Sequence, residues 1–161
     1  MSDVEIIELT GFSRFYVGNI STNYWKSKMK ITDTNNEMLM LRVKFNNAFN
    51  LPICYEPSLI KTQRFELHEE LMQEELDEYS EACRNKDLVE IADALTDMQE
   101  ILLGMFAEHG MLHLHQELYK EVHLSNMSKL DSNGKPVYRE DGKVMKGSNY
   151  KKPNISNVLG V

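Results

Sequence analysis

With 161 residues, 42% apolar and 27% charged, the chain is long enough for one packed domain and short for two. A net charge of −7 excludes a general nucleic-acid binder, which needs basic surface against phosphate, so no stable nucleic-acid partner is expected. Two cysteines without CxxC spacing exclude a disulfide scaffold and a structural zinc.

The first residues, Met1-Ser2-Asp3-Val4-Glu5, place acid where a signal peptide carries base, and no run reaches the roughly 18 apolar residues of a membrane span. A soluble, cytoplasmic protein with reduced thiols and no membrane partner is expected. Residues 1–37 scatter Phe12, Phe15, Tyr16, Tyr24 and Trp25 among glycines and asparagines without a clean period, and read as an N-terminal extension of unassigned role. From Met38 to Asn50 the apolar residues Leu39, Leu41, Val43, Phe45 and Phe49 predict a helix, and Pro52 and Pro57 punctuate the link that follows.

Ser58 is the expected N-cap of a long helix reaching about Arg84, with a core face of Phe65, Met72, Leu76, Tyr79 and Cys83 at steps of seven, four, three and four. Arg84-Asn85-Lys86 breaks it, and Asp87-Leu88-Val89-Glu90 has the form of a capping box. The second helix carries Leu88, Ile91, Leu95, Met98, Leu102 and Met105 as its core stripe and ends near Gly110. A further helix is expected over Met111 to His123 or slightly beyond. Asn133-Gly134 and Asp141-Gly142 are tight-turn dipeptides that predict a small hairpin or ordered loop over 129–146. A three-residue break favours antiparallel neighbours, so the chain is expected to be all-α, an antiparallel helical bundle.

Charge is unevenly placed along these elements. Residues 66–100 hold thirteen acids against Arg84 and Lys86, a net −11, whereas residues 125–152 hold seven bases against three acids, a net +4. Glu75 with Glu78 and Glu90 with Asp93 are i,i+3 pairs, each on one face of its helix, and the short break brings the two pairs side by side. Carboxylates that close repel unless a hard cation sits among them. A set of Glu and Asp without His or Cys suits Mg2+, or Mn2+ as a substitute, better than zinc or copper.

For any single glutamate on this acid-rich helix a solvated face is the ordinary setting, and Glu90 has a second role open to it inside the capping box. Asp93 and Asp97 resist that reading, because Asp is a mediocre helix former and here stands twice at i,i+4 beside the apolar stripe. Such a site suits phosphoryl or nucleotidyl chemistry.

The pattern Glu74-Glu75-x-x-Glu78, then Glu90-x-x-Asp93-Ala94-Leu95-x-Asp97, resembles the acidic signature of the all-α nucleoside triphosphate pyrophosphohydrolases, the MazG-like and phosphoribosyl-ATP pyrophosphohydrolase-like superfamily. Phe45-Asn46-Asn47-Ala48-Phe49, the segment from Glu121 to Lys129 and Asp141-Gly142-Lys143-Val144-Met145-Lys146-Gly147 extend the resemblance to about 38–153, leaving 154–161 as a tail.

The resemblance implies hydrolysis between the α and β phosphates of a nucleotide, giving a nucleoside monophosphate and pyrophosphate, in a homodimer or homotetramer. It implies Glu75, Glu78, Glu90 and Asp93 as Mg2+ ligands with Asp97 beside them, and Glu74 or Glu75 as the base that orients water. Asn126, Lys129, Lys143 and Lys146 are candidate phosphate contacts, and Phe45 and Asn46 candidate base contacts. Phosphoribosyl-ATP is the alternative substrate, and a helical interaction module with merely solvated acids is the alternative from another class.

Overall fold

Five α-helices, α1 (Thr34–Ala48), α2 (Thr62–Asn85), α3 (Leu88–Glu108), α4 (His115–Met127) and α5 (Ile155–Leu159), dominate the computed structural model, which describes residues 34–161. The all-α expectation holds. The N-terminal extension expected over 1–37 lies outside the described residues apart from the first turn of α1. The chain divides into two compact units, one ending at His113 and the other running from Leu114 to Val161.

In the first unit, α2 and α3 form a helical hairpin. Lys86 ends α2 in the left-handed conformation, with φ of 57°, and its N–H reaches back to the last carbonyls of the helix. Asp87 then opens α3, its carboxylate accepting from Val89 N at 3.0 Å and Glu90 N at 3.2 Å. Only half of the expected capping box forms. The Asp87 N–H donates to Ala82 O at 3.0 Å, which leaves the Glu90 side chain outside the cap. Arg64 in the first turn of α2 meets Glu108 in the last turn of α3, so the two helices run antiparallel.

α1 lies against α3, and the core is built there from Leu39, Met40 and Val43 of α1, Leu103 and Ala107 of α3, and Ile53 and Leu112 from the flanking segments. The link between α1 and α2 is tied along the end of α3 by Cys54 N donating to Ala107 O at 2.9 Å and Ser58 N to His109 O at 3.0 Å. Ser58 therefore does not cap α2. Its hydroxyl stands 3.1 Å from Cys54 Sγ, and the helix begins four residues later at Thr62, because the carbonyls of the α3 terminus claim the Ser58 backbone first.

The expected core stripes also need correction. On α2 the buried residues are His68 and Ala82, while Phe65 and Leu76 are about half exposed at 48% and 45%. On α3, Ala94, Leu103, Gly104, Ala107 and Glu108 are buried, while Leu88, Leu95 and Leu102, spaced by seven, face outward. On α3 the buried face turns to α1, where Leu103 and Ala107 join its core and Gly104 lies under Arg42, and the stripe of Leu88, Leu95 and Leu102 stays on the outside of this chain.

In the second unit, Ser125 Oγ of α4 donates to Lys151 O at 2.8 Å, and the N–H of Asn154 donates to Glu121 Oε1 at 2.6 Å. Both turn dipeptides carry a glycine at positive φ, 72° at Gly134 and 82° at Gly142. The hairpin is reduced to one antiparallel bridge, Tyr138 with Val144, across the Asp141-Gly142 turn. Within the expected tail, 154–161, the residues Ile155–Leu159 form the helical turn α5, with Asn154 Oδ1 accepting from Asn157 N at 3.3 Å.

Candidate active site

The α2/α3 hairpin places five of the predicted acids in one electrostatic field. Desolvation, then the charges of Glu78, Asp97, Asp93 and Glu74 in that order, push the Glu75 carboxyl above the ordinary range. Its Oε2 is closed to solvent with no hydrogen-bond donor. Glu90 is exposed and is not among the charges acting on Glu75. Among the described residues no three acidic, His or Cys side chains already close around one point. The carboxylates share a field without yet sharing a centre. Hard oxygen donors, a buried oxygen without a partner and unrelieved repulsion are the properties a divalent cation would satisfy.

Glu75 and Asp97 also border a cavity of about 350 Å³ between α1, α2 and α3. Its apolar wall comes from Leu67, Leu71 and Ile101, and Phe45 lies beside them. Phe45 packs against Phe49 with ring centroids 4.5 Å apart and planes tilted by 36°, and the Arg42 guanidinium sits 4.8 Å from the Phe45 ring centre. Asn46 does not line the cavity. It is fully buried, with Nδ2 donating to Pro52 O at 2.9 Å, and works as a brace for the chain after α1.

Five polar cavity residues were not singled out from the sequence. Arg42 is buried, and its Nη1 donates to Glu100 O at 3.0 Å and to Glu100 Oε2 at 3.3 Å. It passes over Gly104, where an added Cβ would stand 2.8 Å from Nη2. Arg64 Nε donates to Glu108 Oε2 at 3.0 Å, and Arg64 Nη2 donates to Oε1 of the same carboxylate. His68 Nε2 stands 3.2 Å from Glu108 Oε1, in ion-pair range but not aligned for a full hydrogen bond. Burial would push the Glu108 carboxyl up, yet its His68 and Arg64 partners outweigh that and hold it below the usual range. A legible signal existed for one of these residues: Glu108 is an acid in the last turn of an apolar helix, where the dipole favours a cation.

The remaining candidates lie in the second unit. Lys129 Nζ donates to Asn126 Oδ1 at 2.7 Å, so these two form a local pair. Lys146 Nζ sits 4.4 Å from the centre of the Tyr150 ring. Lys143 is exposed beside the Asp141 turn, its backbone N–H donating to Asp141 Oδ1 at 3.1 Å.

The model of the phosphoribosyl-ATP pyrophosphohydrolase family matches residues 42–126, just over half of the chain, from the buried Arg42 to the end of α4. The chain belongs to this family. It is thereby a pyrophosphohydrolase of the MazG-like all-α superfamily, acting on a phosphoric anhydride bond, and the non-enzymatic reading is set aside. No curated protein matches the chain. Among the described residues no helix is long and apolar enough to cross a membrane.

Proposed function

We propose that the protein hydrolyses a nucleoside triphosphate between its α and β phosphates, releasing pyrophosphate and a ribo- or deoxyribonucleoside monophosphate. The observation that carries this reading is Glu75, whose partly desolvated carboxylate lies in the field of four other acids and borders a cavity with an apolar wall. Enzymes of the superfamily generally use divalent metal ions. Mg2+, with Mn2+ as substitute, is the cation assigned here, held by Glu75, Glu78, Glu90 and Asp93 with Asp97 beside them. When bound, it would neutralise charge on the phosphate oxygens and acidify a water molecule.

The chain's own contributions follow from the placement of its side chains. Glu75, through an oxygen not engaged by the cation, or Glu74 on the same turn would orient the attacking water as a base. Phe45 offers a partly exposed ring at the cavity for a nucleobase. Asn126, Lys129, Lys143 and Lys146 are the proposed phosphate contacts of the second unit. The domain is taken as 38–153, between an N-terminal extension and a C-terminal segment, in a cytoplasmic protein.

The outward stripe of Leu88, Leu95 and Leu102 supports a homodimer or homotetramer, because a second copy would remove from water apolar surface that this chain alone leaves exposed. The family's description favours phosphoribosyl-ATP as a second substrate candidate, cleaved at the corresponding bond.

The test is a panel of ribo- and deoxyribonucleoside triphosphates together with phosphoribosyl-ATP, with Mg2+, in which pyrophosphate and monophosphate are quantified. Glu78→Gln and Asp93→Asn run alongside and are expected to lower turnover by about 100-fold or more. Release of orthophosphate in place of pyrophosphate would assign the reaction to a different bond. Turnover of phosphoribosyl-ATP alone would replace the triphosphate reading.

A further inference from the structure

α1 has two apolar faces, and the core takes up one of them. Leu39, Met40 and Val43 are buried against α3. A second row, Met38, Leu41 and Phe45 at steps of three and four, stays 37%, 51% and 42% exposed, and Phe49, 64% exposed, extends it by one more turn. Phe49 N donates to Phe45 O at 3.0 Å and the two rings pack together, so the row is continuous past the end of the helix. A helix that is apolar around most of its circumference belongs under cover on both faces.

At the head of this row stands the rest of the same chain. α1 begins at Thr34, so residues 1–33 are attached where the row starts. Within them Phe12, Phe15, Tyr16, Val17, Tyr24 and Trp25 crowd into fourteen positions, 12–25, that carry a single charge, Arg14. The eleven steps from Met38 to Phe49 rise about 16 Å at helical spacing, and the thirteen from Phe12 to Trp25 reach that far even at the same rise. Charge agrees with this occupant. Gln99 Nε2 lies 3.5 Å from Met38 Sδ, which sets the start of the row beside the stretch of α3 that carries Asp97 and Glu100, and Lys26, Lys28 and Lys30 directly follow Trp25. Covalent attachment favours it further, because a tethered segment acts at an effective concentration on the order of millimolar, above that of a second copy in dilute solution.

We propose that residues 12–25 of this chain dock in cis on the outer row of α1, their aromatic side chains covering Met38, Leu41 and Phe49. The extension then forms the outer layer of α1 as α3 forms the inner one. Neither the acids of the α2/α3 hairpin nor a substrate enters this contact.

Trp25 is the chain's only tryptophan, so its fluorescence reports on the segment alone. In the full-length protein its emission is expected to be blue-shifted, and shielded from acrylamide, relative to the urea-unfolded chain. Leu41→Glu is expected to move both readings toward the unfolded values while circular dichroism keeps its helical signal, and Leu95→Glu, on the outward stripe of α3, is expected to leave both unchanged. Phe15→Ser combined with Tyr16→Ser is expected to lower the melting temperature of the wild type but to lower that of Leu41→Glu little further, because the two changes remove one shared contact. A Trp25 as open to acrylamide in the folded protein as in urea, an emission indifferent to Leu41→Glu or responsive to Leu95→Glu, or melting losses that simply add would each overturn the docking. Emission that moves to the unfolded value on dilution would give the face to a second copy and overturn it equally.

Discussion

Arg64 Nε donates to Glu108 Oε2 across 3.0 Å, joining the first turn of α2 to the last turn of α3 over a sequence separation of 44 residues. The carboxylate is fully buried and His68 stands against its second face, so one ion pair both closes the open end of the helical hairpin and forms one end of the cavity.

Removing one partner of this pair is costly, because it strands the other as a buried charge. Arg64→Ala is expected to lower unfolding free energy by about 3 kcal/mol, measured by urea denaturation at neutral pH. Replacing both, as Arg64→Met with Glu108→Leu, is expected to recover most of that loss. If the double variant is no more stable than Arg64→Ala, the pair's contribution is packing and not charge.

The same pair sets an acid limit. Glu108 is held below its unfolded pKa, so its contribution to stability is complete above the unfolded carboxylate value and disappears as pH falls through the lower folded value. In a pH series of melting temperatures, Glu108→Gln is expected to flatten the fall on the acid side of pH 4.5. An acid limb identical to that of the wild type would assign acid unfolding to other carboxylates.

Glu75 has the opposite sign. Its folded pKa is raised, so as pH rises through that value its ionisation opposes folding, and the metal-free protein is expected to be more stable as Glu75→Gln than as wild type near neutral pH. Divalent cation should reverse the order. A ligand at 100 times its Kd adds about 2.7 kcal/mol, and the variant is expected to lose most of that gain. Melting curves with and without Mg2+ decide it, and an equal Mg2+ response in both proteins would remove Glu75 from the ligand set.

Gly110 combines a left-handed backbone with a close neighbour. It sits at φ of 71°, and an added Cβ would fall 2.0 Å from the backbone oxygen of Glu56. Gly110→Ala is therefore expected to cost about 3 kcal/mol or more, since neither the backbone conformation nor the neighbouring carbonyl can give way cheaply. Gly134→Ala, equally left-handed but with open space around it, serves as the control and is expected to cost only about 1 kcal/mol.

The outward stripe of α3 makes an assembly prediction. Leu95→Glu puts a charge at its middle and is expected to yield monomers in sedimentation, while Lys120→Glu at an exposed position of α4 is expected to leave the assembly unchanged. A wild-type protein that sediments as a monomer at micromolar concentration would reject the proposed homo-oligomer.

The four longer helices, their order and the acidic signature were legible in the sequence because each rests on local chemistry, whereas the short α5 was not. A period near 3.6 places α2 and α3, Asp87 caps the helix it precedes, and acids three and four residues apart share a face whatever the rest of the fold does. Family membership came from the same local pattern, which the match over residues 42–126 supports.

Which face turned inward was decided only by tertiary structure. Periodicity cannot distinguish a stripe destined for the chain's own core from one left on its surface, and here Leu88, Leu95 and Leu102 are outside while Ala94, Gly104 and Glu108 are inside. Nor does local sequence state that Arg64 will meet Glu108, that Arg42 will pass over Gly104, or that Ser58 will serve the α3 terminus in place of its own helix. Those pairings join residues tens of positions apart, and they exist because burying a charge or a carbonyl is tolerable only where the fold delivers its partner.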